Sequence, residues 1–387
     1  MLKISFFTAA SHAQGTYFRW HNLAIGLQQL GHRVTVHAIG PSHGGRTQFE
    51  TRDGVRYVIV PLTPFFHRLW NPWLDPVTLI RTLRHLPESP DIVHVFQPFP
   101  HSCLPALFHC TDRSRLRLIF DWDDLWAGGL FPARSELPWP ATWPTKAVHW
   151  LEKSMPKWAG CVTSCSQFLA RQARLNGAIN TEVIHNGYWP DRLLPSKSEA
   201  RAAFNLSPDA FYFGFMGRTV GEIEWCLDAL AARHTNKTPI RLALCGMSET
   251  VIRSLSPSAQ ASIDHLGQLT PEQTRVFARA IDVGLLPLED IPFNQSRFPI
   301  KFAEYLAGGA HVVASSIGEF AHLAEKLPGV TLCGTTRDSW QQVLKSTHWD
   351  ERCAPFATDS DSVLAKTLGW PALAKQLENF YQTLPTS

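Results

Sequence analysis

The stretch NQSRFPIKFAEYLAGGAHVVASSIGE, residues 294–319, decides how this chain is read. Pro299 stands where a helix can start, at a position that needs no backbone N–H. Lys301 and Glu304 follow three apart and so share one helix face. Gly308 and Gly309 end the helix, and HVVAS reads as the next strand. The pattern predicts a carboxylate on the first turn of a helix, just behind a loop and ahead of a buried strand. That is the layout of a nucleotide pocket in an α/β domain. Glu304 can accept hydrogen bonds from both ribose hydroxyls, while loop amides and the positive helix end hold phosphates.

Outward from this stretch, short apolar runs alternate with helical segments. LKISFFTA, HRVTVHAIG, VRYVIVP, DIVHVFQ, LRLIFDW, CVTSCS and EVIHNG read as strands of a first domain. FYFGFMGR, IRLALCG, IDHLGQL, DVGLLPL, HVVASS and GVTLCG continue the series in a second. Such alternation predicts an α/β fold with mostly parallel sheets. The segment YWPDRLLPSKSEARAAF, 188–204, carries two prolines and reads as the linker. The expected domains are therefore 1–192 and 193–368, with 369–387 as a terminal amphipathic helix. MLKISFFTAASHA mimics a signal peptide, but a helix and the strand VTVHAIG follow at βαβ spacing, so it reads as the first buried strand.

At 387 residues the chain has room for two domains, each with its own core. A net charge of +3, with no basic stripe interleaved with aromatics, argues against nucleic acid as a partner. None of the eight cysteines forms a Cys-x-x-Cys pair. Cys161 and Cys165 have no second pair to complete a zinc site, so free thiols in a reducing cytoplasm are expected. No apolar run is long enough to span a membrane.

Asn294, Arg297, Pro299, Lys301, Glu304 and Tyr305, within 281–319, resemble the donor-binding region of the retaining glycosyltransferases of family 4. The resemblance implies the GT-B fold: two facing Rossmann-like domains with parallel sheets. Glu304 falls on the family's second signature glutamate, the ribose contact. Ser296 stands where the first would lie. A branch of the family instead carries an asparagine, a basic residue and Pro-x-Lys before Glu-Tyr, as here. The resemblance further implies that the terminal helix crosses back onto the first domain.

The same resemblance assigns further residues. Gly15 falls on the glycine of the loop that faces donor phosphates and acceptor, although a lone glycine also serves any turn. Arg218, ending the first strand of domain two, falls on the phosphate-binding arginine, and its fork suits a diphosphate. Ile223 occupies the position of a usual lysine, which leaves Arg297 and Lys301 to supply charge; Lys301 also has the spacing to pair with Glu304. DWDDLWAGG, 121–129, follows a strand. Asp123 and Asp124 are expected to hold sugar or acceptor, with helix capping as the plain alternative. Asn186-Gly187 and the loop with Ser316, Gly318 and Glu319 match weaker family positions. The aromatic stretches 64–73 and 137–143 suit either loop packing or contact with a membrane surface or apolar acceptor.

The implied activity is transfer of a sugar from a nucleotide-sugar donor, UDP- or GDP-linked, to a glycan, lipid-linked or small-molecule acceptor with retention of configuration. Arg218 and Lys301 would stabilise the leaving group, and Asp123 and Asp124 would serve the acceptor. No separate cofactor or metal is required. The expected setting is cytoplasmic, with peripheral contact at the inner membrane face as one option. The rival readings are an inactive nucleotide-binding or scaffold protein, and an epimerase or phosphorylase on the same architecture.

Overall fold

The computed structural model describes all residues except 11–14, 41–44, 64–74, 87–88, 111–116, 127–128, 130–141, 219–220, 232–238, 347, 350–352, 354, 360 and 385–387. The aromatic stretch 64–73 and residues 137–141 of the second one lie outside the described residues. The chain divides into two compact units. One comprises Met1–His185, Ser296–Phe298 and Trp370–Ser387; the other comprises Asn186–Gln295 and Pro299–Gly369.

The first unit holds an eight-stranded sheet of β1 (Lys3–Thr8), β2 (Arg33–Gly40), β3 (Gln48–Arg52), β4 (Val55–Pro61), β5 (Ile92–Phe96), β6 (Leu118–Trp122), β7 (Cys161–Ser164) and β8 (Asn180–Val183). Their spatial order is β3-β4-β2-β1-β5-β6-β7-β8. All neighbours are parallel except β3 and β4. Strand β5 and strand β6 are buried along their whole length, which explains their unbroken apolar runs. The sequence order reverses between β1 and β5, so the loops after these two strands flank a topological switch point.

Strand β3 was absent from the sequence reading. Its QFETR sequence is mostly exposed and carries little apolar signal. The Asp53-Gly54 pair was the available cue: both residues have positive φ, +47° and +78°, and close the β3–β4 hairpin. Strand β8 lies earlier than the expected EVIHNG. Arg19 takes the carbonyls of Ile184 and His185, at 2.6 and 3.3 Å, which removes them from further strand pairing.

The second unit has an all-parallel six-stranded sheet, ordered β11-β10-β9-β12-β13-β14. Its members are β9 (Phe211–Met216), β10 (Ile240–Cys245), β11 (Ile263–His265), β12 (Val283–Leu286), β13 (His311–Ser315) and β14 (Val330–Cys333). Phe213, Leu242, Leu244, Val283, Leu285, Val313 and Trp340 form much of its core. The switch point here lies between β9 and β12. Gly284 of β12 is required by packing: a Cβ there would stand 2.4 Å from the Tyr305 ring.

The terminal helix Trp370–Gln382 belongs to the first unit. Tyr381 Oη hydrogen-bonds His94 Nδ1 at 2.7 Å, and Glu378 meets His32 Nε2 at 2.9 Å. Gly26 of the helix Tyr17–Gln29 admits this contact, since a Cβ there would lie 2.5 Å from the Ala374 methyl.

Among the described residues His37 has no hydrogen-bond partner at either ring nitrogen, and it stacks on Phe7 with ring centroids 4.8 Å apart. Burial, helped by nearby His109, Arg56 and His85, pushes its pKa down to about 3. The unfolded chain therefore binds a proton near pH 6.5 that the folded chain refuses until about pH 3. The His37 contribution to stability is fully present above pH 6.5 and is lost as pH falls through that window. Raised carboxylates elsewhere act in the opposite sense, so the comparison must be with a variant. His37→Phe should be more stable than the parent by roughly 1 kcal/mol at pH 7, because an unsatisfied buried polar ring is removed. Its advantage should grow by about 1.4 kcal/mol per pH unit between pH 6 and 4. Urea unfolding at several pH values checks this; an advantage independent of pH would contradict it.

Candidate active site

In the second unit, the helix Ile300–Ala307 begins after Pro299 and is closed by Gly308 and by Gly309, whose φ is +79°. Pro299 is the N-cap, so Glu304 is the fifth helical residue and sits on the second turn, not on the first as the sequence suggested. This places it beyond the terminal amides. Its neighbours i−3 and i+1 act together on strand β9. Lys301 Nζ donates to the Met216 carbonyl at 2.8 Å, and Tyr305 Oη accepts from the Met216 amide at 2.8 Å. The Lys301 ammonium also lies 4.7 Å from the Phe215 ring centroid. The helix thus clasps the carboxyl end of β9 at the switch point.

Lys301 does not use its spacing to pair with Glu304. The Glu304 carboxyl is half-buried and has no hydrogen-bond or ion-pair partner among the described residues. Burial pushes its pKa up to about 7, partly opposed by the charge of Arg275. Arg218, two residues beyond β9, is exposed and has no ion-pair partner among the described residues. Lys301 and Arg218 are therefore gathered at one strand end. Ile223, by contrast, is 1% exposed within the core of this unit. It ends the turn Gly221–Ile223, and its side chain packs in the core, where the usual lysine would instead supply charge. Asn294 is buried and donates to the Glu289 carbonyl at 3.0 Å, which gives it a local structural task. Glu319 is also buried, on the first turn of the helix Gly318–Ala324.

In the first unit, the aspartates at the end of β6 and in the loop after it have different surroundings. Asp121 is fully buried and receives both arms of Arg19, at 2.7 and 2.8 Å, together with the Thr163 hydroxyl at 2.6 Å. Burial alone would pull the Arg19 pKa down; Asp121 more than reverses this and holds the guanidinium firmly charged. Asp123 is 6% exposed, and its Oδ1 has no hydrogen-bond partner among the described residues. Burial first, then the charges of Asp124 and Asp121, raise its pKa. Asp124 is likewise raised by burial, with Arg297 pulling it back down. Arg297 belongs to this first unit: the flanking Ser296 carbonyl accepts from the Ser166 hydroxyl, and Phe298 packs on His185 with ring centroids 5.1 Å apart.

Gly15 is exposed at φ +53°, with open space around the position of a Cβ, just before the helix that carries Arg19. Residues 11–14 of its loop lie outside the described residues. Three residues near this site escaped the sequence reading. Arg19 was the most legible, as a lone cation within the otherwise largely apolar or aromatic run YFRWHNLAIGL. Glu152 accepts from Trp122 Nε1 at 2.9 Å and from the Trp126 amide at 2.8 Å, and so pins the loop after Asp124. Gln97, directly after β5, has φ +70°, which nothing in its sequence signals. Among the described residues no group of three or more His, Cys, Asp and Glu is placed to share a metal ion.

A carboxylate with no hydrogen-bond or ion-pair partner among the described residues, in a unit whose β9 end gathers Lys301 and Arg218, calls for a ligand with hydroxyls and negative charge. Glu304→Gln is expected to weaken nucleotide binding by roughly 10-fold, measured by calorimetry, because an amide can accept at only one oxygen. The folded pKa of Glu304 lies above its unfolded value of 4.5. Its carboxyl therefore costs stability as pH rises from 4.5 through 7, and Gln removes that cost. The variant should melt slightly higher than the parent at pH 8, by on the order of 1 kcal/mol. Unchanged nucleotide affinity would reject the ribose role.

The chain is similar to known glycosyltransferases along most of its length. Residues 14–187 match the glycosyl transferase 4-like domain, and residues 208–345 match glycosyl transferases group 1. The teichuronic acid biosynthesis glycosyltransferase TuaH of Bacillus subtilis (strain 168) is 21% identical over 278 residues, 71% of this chain and 68% of that protein. Sucrose-phosphate synthase from Thermosynechococcus elongatus superposes with a TM-score of 0.72 at 18% identity, covering 99% of each chain. Anabaena HepE, solved with UDP and glucose, gives 0.66 at 15% identity over 99% of this chain and all of the other. Two consecutive glycosyltransferase domains on two parallel-sheet units identify the chain as a glycosyltransferase of the GT-B type.

Proposed function

We propose that the chain is a retaining, family 4-like enzyme that transfers a sugar from a UDP-sugar to an acceptor hydroxyl. The half-buried Glu304 carboxylate, with no hydrogen-bond or ion-pair partner among the described residues, carries this reading, because two ribose hydroxyls supply donors for it. UDP is favoured over GDP by the UDP seen with HepE. Arg218 and the Lys301 ammonium supply positive charge to the charge that develops on the diphosphate. The acceptor oxygen forms its bond to the anomeric carbon as the bond from that carbon to the diphosphate oxygen breaks. The electron pair leaves with the diphosphate, which also takes the acceptor's proton, so no metal is invoked. Asp123 holds the acceptor hydroxyl through its unpartnered oxygen. Asp124, steadied by Arg297, completes the acidic wall.

The relative TuaH favours a polysaccharide or lipid-linked acceptor. Trp150, Lys153 and Lys157 lie exposed on one face of the helix Thr142–Ala159, an arrangement suited to peripheral contact with an anionic membrane. The test is a calorimetric screen of UDP-, GDP- and ADP-sugars, followed by mass analysis of products with oligosaccharide and lipid-linked acceptors. Consumption of a UDP-sugar with acceptor present is expected. Tight nucleotide binding with no product from any acceptor would favour a binding protein instead.

A further inference from the structure

Glu152 is the one acidic residue in the sequence of the helix Thr142–Ala159, and it is only 1% exposed. A carboxylate taken out of water needs donors to hold it. Here two donors converge on a single oxygen: Trp122 Nε1 at 2.9 Å and the Trp126 amide at 2.8 Å both reach Oε1. Trp122 is the last residue of β6, and Trp126 lies beyond it in the loop that follows. One side-chain atom therefore ties both ends of the segment Asp123-Asp124-Leu125.

Packing backs the same segment. Val148, one turn before Glu152 on the same helix face, clusters with Trp126, Phe99 and Ala9. The Trp126 ring meets Phe99 edge-on, with centroids 4.9 Å apart. From the other side, just beyond β7, the Cys165 amide donates to the Trp122 carbonyl at 3.3 Å, and the Cys165 thiol donates to the Asp123 carbonyl at 2.8 Å. The loop main chain is thus held at two carbonyls from the β7 end and at the Trp126 amide from the helix.

Such holding is needed because Asp121, Asp123 and Asp124 crowd their carboxyls into one short run, while Arg19 puts two of its nitrogens on Asp121. Like charges repel, and a loosely held loop relieves the repulsion by turning an aspartate out to water. Asp123 instead stays 6% exposed, with Oδ1 lacking a hydrogen-bond partner among the described residues. We infer that Glu152 is a positioning residue: through Trp122 and Trp126 it clamps the segment that carries Asp123 and Asp124 in the geometry that meets the acceptor. This rests on the acceptor role proposed above for these two aspartates. The reach of the Glu152 side chain carries the role, since its oxygen must meet two donors at once.

Glu152→Gln and Glu152→Asp separate reach from charge. The first keeps the reach and an accepting oxygen. The second keeps the charge but is one methylene shorter, so it cannot meet both donors from the same helix position. Kinetics would use the UDP-sugar and acceptor returned by the product screen. In Glu152→Gln, kcat/KM for the acceptor should fall by about 5-fold, because a neutral oxygen replaces a charged one. In Glu152→Asp it should fall on the order of 100-fold, because the acceptor hydroxyl is misplaced. Donor KM should be unchanged in both. Hydrogen exchange at the Trp126 amide, read by NMR, should be about 10-fold faster in Glu152→Asp than in the parent, and it needs no turnover. Failure of the parent to turn over any donor would therefore sink the transferase reading while exchange still judges the clamp. A larger loss in Glu152→Gln than in Glu152→Asp, donor and acceptor KM rising together, or parent-like Trp126 exchange in Glu152→Asp would overturn the positioning role.

Discussion

Asp121→Asn should destabilise the first unit by about 3–5 kcal/mol, the largest single effect expected in this protein. The substitution keeps the shape but removes the charge that balances Arg19, both side chains being essentially inaccessible. Arg19 would keep its bonds to the Ile184 and His185 carbonyls, which compensate poorly for a buried cation. The Thr163 hydroxyl, which donates to Asp121 and also contacts His94 Nε2 at 3.0 Å, would have to reorient. Replacing both members together, Arg19→Met with Asp121→Leu, should restore much of the loss, because desolvation of the pair offsets most of its attraction. Urea unfolding of the four proteins in a double-mutant cycle measures this. A loss below about 0.5 kcal/mol in Asp121→Asn would mean that the pair does not hold the unit together.

Arg218→Ala should leave the fold intact and lower turnover by about 10- to 150-fold, equivalent to roughly 1.5–3 kcal/mol for one charged hydrogen bond made mainly in the transition state. The exposed position of Arg218 and its lack of an ion-pair partner among the described residues mean that little stability rests on it. Lys301→Ala should behave differently. Its ammonium holds the Met216 carbonyl and lies on Phe215, so a loss of about 1 kcal/mol in stability should accompany a smaller loss of turnover. Steady-state kinetics with the identified donor, paired with thermal melts, separates the two patterns. A folded, fully active Arg218→Ala would show that the diphosphate lies elsewhere.

The fold was legible because parallel strands buried on both faces leave unbroken apolar runs, as in IVHVF and HVVAS. Strand β3 was not, since an edge strand with polar, exposed residues has almost no hydrophobic pattern to read. The helix that carries Glu304 was legible, but its phase was not. Whether Pro299 opens or caps that helix shifts Glu304 by a turn, and spacing alone does not choose. The DWDD run advertised acidity without division of labour. Only the fold delivers Arg19 to Asp121, 102 residues away, and leaves Asp123 Oδ1 without a hydrogen-bond partner among the described residues. Ile223 illustrates the opposite case: its missing charge was plain in the sequence, but its place in the core was not.

We propose that this GT-B glycosyltransferase moves a sugar from a UDP-sugar to an acceptor hydroxyl with retention. The most direct measurement is proton NMR of the product formed from an α-linked UDP-sugar and a lipid-linked or oligosaccharide acceptor. The account predicts a new α-glycosidic anomeric signal, with UDP released in equal amount. A β-linked product would contradict retention, and an unchanged donor beside tightly bound UDP and every acceptor offered would contradict transfer itself.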